Sequence, residues 1–185
     1  LGDVYKRQII RRSGSQLLVM WPGFRDIDFL GLLAEADGDA LAGLKAILIY
    51  SEGEGHKFHG TIARSEQHFY NDLIKCEPFE KDYGEPDLGS NIFTTSGTTK
   101  APKFVLHTQG SLANHARLVA EGFGYSFSKG ALLQMMPLCG VFGFTQIMAG
   151  LASGQPTVLT ASFDPKQAVV LAAQHLALIH ISEPT

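Results

Sequence analysis

Short apolar runs recur along the chain and alternate with longer segments in which apolar residues return every three or four positions. Short runs rich in β-branched and aromatic residues are typical of strands, whereas the longer period is typical of amphipathic helices. The pattern predicts strands at residues 17–21, 46–50, 104–107, 131–135, 157–159 and 176–181, and helices at residues 24–36, 109–124 and 165–175. This alternation predicts an α/β fold with a layered, mainly parallel sheet and flanking helices.

Two of the predicted helices carry terminal signals as well as an apolar stripe. The helix at 109–124 ends in glycine, and its stripe is formed by Leu112, Ala116, Val119 and Ala120. The helix at 165–175 follows Asp164, a good N-cap residue, and has Pro165 in its first position. The stripe of this second helix is formed by Ala168, Val169, Leu171 and Ala172.

Composition places the chain among ordinary globular domains. Of its 185 residues, 45% are hydrophobic and 18% are charged, which is enough apolar material for a substantial core. The net charge of −3 offers no basic surface, so nucleic-acid binding is not expected, and no apolar stretch is long enough for a membrane span. Cys76 and Cys139 form no close-spaced pair, which suits a reducing compartment and favours a cytoplasmic location.

The two ends of the sequence differ in character from the rest. Residues 1–8 and 181–185 resemble translated adapter sequence and are predicted to be non-native. Excluding them leaves one partial domain at residues 9–180.

The segment from Thr94 to Lys103 concentrates the groups that bind phosphate. It combines hydroxyl side chains and a glycine with two lysines, and charge-assisted hydrogen bonds to phosphate oxygens are strong. Apolar residues on both sides predict that the segment connects two strands. A P-loop of the NTPase type joins a strand to a helix and needs a second glycine followed by lysine, which Gly97 lacks. The sequence therefore predicts a phosphate-binding hairpin loop of another type.

The ordered string TSGTT-x-x-P-K resembles the phosphate loop of the adenylate-forming superfamily, which includes acyl-CoA synthetases, adenylation domains of peptide synthetases and luciferases. The resemblance implies nucleotide-binding roles for Thr95, Ser96, Gly97, Thr98, Thr99, Lys100 and Lys103. It further implies a catalytic role for Lys103, whose charge would stabilise the phosphates. Two positions depart from the family pattern, since Lys100 and Phe104 stand where glycine is usual. Lys100 either strains the loop or adds a cation beside the triphosphate.

A second segment, residues 136–144, resembles the family motif that borders the acyl pocket. Pro137, Leu138 and Gly143 match that motif, whereas Gly140 stands where many members have histidine. A ring role at this position cannot be transferred to glycine. Phe142 and Phe144 either line the pocket or pack in the core, and the sequence leaves both options open.

The resemblance implies an AMP-forming acyl-CoA synthetase that uses ATP, Mg²⁺ and coenzyme A. A carboxylic acid would first become an acyl-adenylate and then pass to the thiol. The family's later motifs do not occur here, so the sequence is expected to be part of an N-terminal domain, inactive alone, with the Mg²⁺ ligand beyond Thr185. Two alternatives stay open: an adenylation domain that loads a carrier protein, and a non-catalytic nucleotide-binding scaffold.

Four other groups of residues are weaker candidates for a functional role. His56 and His59, with glutamates nearby, could hold a metal, but their glycine-rich surroundings favour a solvated loop. His107 could orient the phosphate loop or serve a structural role. Cys139 lacks a neighbouring base that would make it a nucleophile. The acidic residues between 77 and 87 are interpreted as solvated surface.

Overall fold

The computed structural model describes residues 9–22, 24, 27–34, 41–50, 65–95, 103–127, 130–160, 162–175 and 178–179. The chain forms two compact units, Leu1–Lys81 and Asp82–Thr185. The predicted domain bounds of 9–180 and the non-native ends stay predictions, because residues 1–8 and 181–185 lie outside the described residues.

The first unit is built on a parallel sheet of three strands. β1 (Leu17–Met20), β2 (Ala46–Ile49) and β3 (Glu66–Phe69) lie in the order β1-β2-β3. β1 and β2 confirm predicted strands, but β3 was not predicted. Its sequence, EQHF, carries three polar residues at an edge of the sheet, so hydrophobic periodicity gives no signal there.

Short helical segments accompany this sheet. α1 (Phe29–Ala34) falls inside the predicted helix at 24–36, and α2 (Tyr70–Leu73) follows β3 directly. The start of α1 is fixed by Asp28, whose Oδ1 accepts a hydrogen bond from the backbone N–H of Gly31 at 2.8 Å. Such a bond satisfies one of the N–H groups that a helix start leaves without a partner.

The core of the first unit centres on β2. Ile47 and Ile49 are almost fully buried and pack with Leu41 and Leu44. Burying an aliphatic side chain of this size stabilises the fold by about 1.5–3 kcal/mol. The half-buried residues around this cluster are Ile10, Leu18, Met20, Leu30, Leu33 and Phe69.

The second unit combines an antiparallel hairpin with a second parallel sheet. The hairpin consists of β4 (Gly89–Thr95) and β5 (Lys103–Thr108). The parallel sheet has the order β7-β6-β8, and its strands are β6 (Leu132–Gln134), β7 (Thr157–Leu159) and β8 (Leu178–Ile179). The helices are α3 (Gln109–Gly122), α4 (Val141–Ser153) and α5 (Pro165–His175), with a 3₁₀ turn at Tyr125–Phe127. The mainly parallel α/β prediction is thus confirmed.

The predicted apolar stripe of α3 is confirmed. Ala116 and Ala120 are buried, and Leu112 and Val119 are half-buried. The helix ends at Gly122, two residues before the predicted end, because the chain turns at Gly124 with a φ of 68°. A positive φ is inexpensive only for glycine.

The N-terminus of α5 matches its prediction, but one position of its stripe was wrong. Asp164 Oδ1 accepts hydrogen bonds from the N–H groups of Lys166 and Gln167, at 2.8 and 3.3 Å. Ala168 is buried, whereas Val169 is 69% exposed. Successive helical residues point about 100° apart, and the buried face of α5 is too narrow to include both side chains.

The core of the second unit contains a buried polar pair. Tyr125 packs with Ala120, Leu132 and Ala149, and its hydroxyl donates a hydrogen bond to Oε1 of Gln146 on α4. Both side chains are at most 4% exposed. Burial raises the pKa of Tyr125 above its ordinary value, and the bond to Gln146 opposes part of that shift. The pair ties α4 to the turn that follows α3.

Candidate phosphate-binding site

The phosphate-loop segment joins the two strands of an antiparallel hairpin, as the sequence predicted. The ladder runs from Gly89↔Thr108 to Thr95↔Lys103, with an irregularity between Gly89 and Asn91. The connecting residues 96–102 lie outside the described residues. The strand–strand connection agrees with the exclusion of an NTPase P-loop, which would lead from a strand into a helix.

Thr95 and Lys103 form the last pair of the ladder and are both exposed. Directly paired residues of antiparallel strands project to the same face, so the hydroxyl and the ammonium group share one side of the hairpin. Within the described part of the chain, no carboxylate lies within ion-pair distance of Lys103. A cation and a hydroxyl at the mouth of the loop are suited to an anion there.

Five further residues were predicted to bind the nucleotide. Ser96, Gly97, Thr98, Thr99 and Lys100 lie outside the described residues. Their roles, and the effect of lysine at position 100, stay predictions. The hairpin brings the two ends of the loop, Thr95 and Lys103, together as cross-strand partners.

The base of the hairpin is anchored to the segment that precedes it. Thr108 caps α3, since its Oγ1 accepts a hydrogen bond from Ser111 N–H at 3.2 Å. Gln109 Oε1 accepts from Glu85 N–H at 3.1 Å, and Gly110 N–H donates to the Pro86 carbonyl at 2.8 Å. Gln109 therefore has a structural role, although no role was predicted for it.

The second motif, residues 136–144, forms a tight turn that leads into α4. Gln134 Nε2 donates to the Met136 carbonyl at 2.7 Å, and Gly140 N–H donates to the Pro137 carbonyl at 3.1 Å. Gly140 is the N-cap residue of α4 and contributes no side-chain cap. A Cβ at buried Gly143 would collide with the Pro137 carbonyl oxygen, so this match to the family motif has a steric reason.

An aromatic contact connects the hairpin with this second motif. The ring of Phe93 on β4 meets the ring of Phe144 on α4, with centroids 5.3 Å apart and planes at 66°. Phe93 also meets the imidazole of His107 on β5, at 5.6 Å and 72°. Both are edge-to-face geometries that aromatic rings favour. Phe93 had no predicted role, although strand alternation places its side chain on the same face as that of Thr95.

Solvent exposure distinguishes the two phenylalanines of the second motif. Phe144 is half-buried and packs on Phe93, whereas Phe142 is 44% exposed. His107 has a packing partner in Phe93, which agrees with the structural role considered for it.

The remaining candidates do not form a second site among the described residues. Cys139 is an exposed free thiol, and every residue from 77 to 87 is exposed, as expected of solvated surface. The described part of the chain contains no group of three side chains that could hold a metal ion. His56 and His59, with Glu52 and Glu54, lie outside it. Nor does that part contain a helix that is both long and apolar enough to cross a bilayer.

The hairpin and the turn before α4 coincide with the two segments that resemble motifs of the adenylate-forming superfamily. The family model of the AMP-binding enzymes matches residues 6–185, and the chain belongs to that family.

Individual relatives match over limited parts of their length. Fumosorinone synthetase of Cordyceps fumosorosea is 32% identical over 104 residues, which is 55% of this chain and 2% of that protein. A long-chain-fatty-acid-CoA ligase from Archaeoglobus fulgidus superposes with a TM-score of 0.69 at 19% identity, over 94% of this chain and 31% of that one. The o-succinylbenzoate coenzyme A synthetase of Bacillus subtilis, in complex with ATP and magnesium ion, superposes with a TM-score of 0.59 at 15% identity. The superposition covers 95% of this chain and 54% of that one. These superpositions show the fold.

Proposed function

We propose that the protein carrying this chain is an AMP-forming acid–thiol ligase that makes acyl-coenzyme A from a carboxylic acid, ATP and coenzyme A. A carboxylate oxygen of the acid attacks the α-phosphorus of ATP, the α–β phosphoanhydride bond breaks, and pyrophosphate leaves. The thiolate sulfur of coenzyme A then attacks the acyl carbon and AMP leaves. The proposal rests on one observation: in a chain of the AMP-binding family, Thr95 and Lys103 are cross-strand partners where the hydroxyl-rich loop joins the hairpin.

The chain's own contribution to the first step is electrostatic. Negative charge builds up on the leaving pyrophosphate, and donors that are already in place stabilise it without reorganisation. Lys103 supplies a positive charge, and Thr95 supplies a hydroxyl on the same face of the hairpin. We assign the neighbouring Ser96, Gly97, Thr98, Thr99 and Lys100 to the same phosphates. Magnesium, when bound to the triphosphate, neutralises part of its charge.

The acceptor could instead be a thiol on a carrier protein. The length of one relative favours this second candidate, because 104 aligned residues are only 2% of fumosorinone synthetase. A chain of that length contains many domains, and one of them could present the thiol. For either acceptor we propose a cytoplasmic reaction, supported by the free thiols of Cys76 and Cys139.

Pyrophosphate exchange tests the first step. The full-length protein that carries this chain is incubated with ATP, labelled pyrophosphate and a panel of aliphatic and aromatic carboxylic acids. We expect exchange with at least one acid. Lys103→Gln should lower its rate by about 10²–10³-fold, the usual cost of removing one transition-state donor. Lys166→Gln is the matched control, because Lys166 is exposed at the start of α5, outside both motifs.

Each outcome separates the candidates. Exchange followed by a coenzyme A thioester supports the ligase, whereas exchange without a thioester supports a carrier-protein acceptor. Retained ATP binding without exchange for any acid would favour the non-catalytic scaffold and overturn the proposal. Equal rates for the two lysine variants would overturn the role of Lys103.

A further inference from the structure

The contact between Phe93 and Phe144 joins two motifs that lie far apart in the sequence. Phe93 precedes Thr95 by two positions on β4, so both side chains project to the same face of the hairpin. Phe144 directly follows Gly143 in the first turn of α4. The two rings are 5.3 Å apart between centroids and are both half-buried. They are a direct side-chain contact between the strand that enters the phosphate loop and the helix that follows the second motif.

Further contacts hold the backbone in place at both Phe93 and Phe144. On the helix side, Phe144 N–H donates to the Gly140 carbonyl at 3.0 Å, and Gly143 leaves no space beside the carbonyls of Met136 and Pro137. On the hairpin side, Phe93 pairs with Val105 across the ladder, and its ring also meets His107. A shift of Phe93 would therefore displace the end of the hairpin relative to the turn at 136–143.

We infer that Phe93 is a positioning residue for adenylate formation, which sets the phosphate-binding hairpin against the segment at 136–144 through Phe144. The inference rests on the proposed function, since it concerns the same site. Phe93 does not need to touch a substrate for this role. Reacting groups must be held within a fraction of an ångström, and a misplacement of about 1 Å can cost about 10²-fold in rate.

The test compares Phe→Leu substitutions in the full-length protein that carries this chain. Phe93→Leu keeps an apolar side chain and removes the ring, and Phe93→Tyr keeps the ring. The matched control is Phe123→Leu, which removes a ring contact with Tyr125 at 5.8 Å, distant in sequence from both motifs. All variants are assayed by pyrophosphate exchange at saturating acid and over a range of ATP concentrations, well below their melting temperatures.

A positioning role predicts a particular kinetic result. We expect Phe93→Leu to lower kcat by about tenfold with little change in the KM for ATP, because mispositioning acts on the chemical step. Phe93→Tyr should restore most of the rate. Phe144→Leu should lower kcat similarly, and combining it with Phe93→Leu should add little, because both changes remove one contact. Phe123→Leu should retain the wild-type kcat even if its melting temperature falls.

The unfavourable outcomes are distinct from one another. Wild-type kcat in Phe93→Leu, or equal losses in Phe93→Leu and Phe123→Leu, would overturn the inference and leave the proposed function intact. Fully additive losses in the double variant would overturn the part assigned to Phe144. A wild-type protein without pyrophosphate exchange would overturn the proposed function and the positioning role together.

Discussion

A methyl group added at Gly143 would meet rigid backbone. Gly143 is buried in the first turn of α4, below the turn formed by residues 136–140. Its added Cβ would overlap the Pro137 carbonyl oxygen and lie 2.8 Å from the Met136 carbonyl oxygen. Neither oxygen can rotate away as the end of a flexible side chain could, so Gly143→Ala must displace the turn or the helix.

The expected magnitude combines two opposing effects. Overpacking a tight site costs about 1–3 kcal/mol, and the backbone obstacles place Gly143→Ala toward the upper end. Alanine is preferred over glycine inside a helix by about 0.5–1 kcal/mol, which offsets part of that cost. The net loss in unfolding free energy is about 2 kcal/mol, or a melting temperature lower by about 4–8 °C for a cooperative unit of about 150–250 residues.

Thermal unfolding followed by circular dichroism measures this loss, with two glycines as references. A Cβ at Gly122 in α3 would have nothing within 4 Å, so Gly122→Ala should leave the melting temperature unchanged or raise it. Gly150 is intermediate, since its Cβ would meet movable atoms, Thr157 Oγ1 at 2.9 Å and Leu132 Cδ1 at 3.1 Å. A melting temperature of Gly143→Ala equal to that of Gly122→Ala would refute the steric argument.

Three further predictions concern polar groups of the second unit. Tyr125→Phe leaves Gln146 Oε1 buried without its donor and should cost about 1–3 kcal/mol in urea unfolding, whereas adding Gln146→Leu should recover most of the loss. Folding raises the pKa of Tyr125 above 10.0, so the contribution of Tyr125 to the free energy of unfolding is fully present below pH 10 and is lost as the pH rises further. An equally steep loss of unfolding free energy at alkaline pH in Tyr125→Phe would contradict this. Thr108→Ala removes the cap of α3 and should cost about 1 kcal/mol in urea unfolding, while Thr108→Ser should cost little; equal losses would argue against capping.

Local signals predicted most of the second unit. Strand β7 has the predicted bounds, the cap at Asp164 has the expected bonds, and the hydroxyl-rich segment joins two strands. Each of these depends on residues close together in the sequence. Strand β3 was not predicted because it lies at a sheet edge and its mostly polar sequence has no apolar pattern. Val169 was wrongly predicted to lie on the buried stripe of α5, because periodicity does not show how wide the buried face of a helix is.

The sequence by itself determined the family, the alternation of strands and helices, and the residue types of the phosphate loop. These features follow from ordered motifs, backbone preferences and side-chain periodicity, which act over a few neighbouring residues. The tertiary structure alone decided that Phe93 meets Phe144, that Gln109 binds the preceding segment, and that Gly143 leaves no space for a side chain. Such contacts depend on the register and approach of separate elements, and close packing makes them specific in a way that local sequence cannot encode.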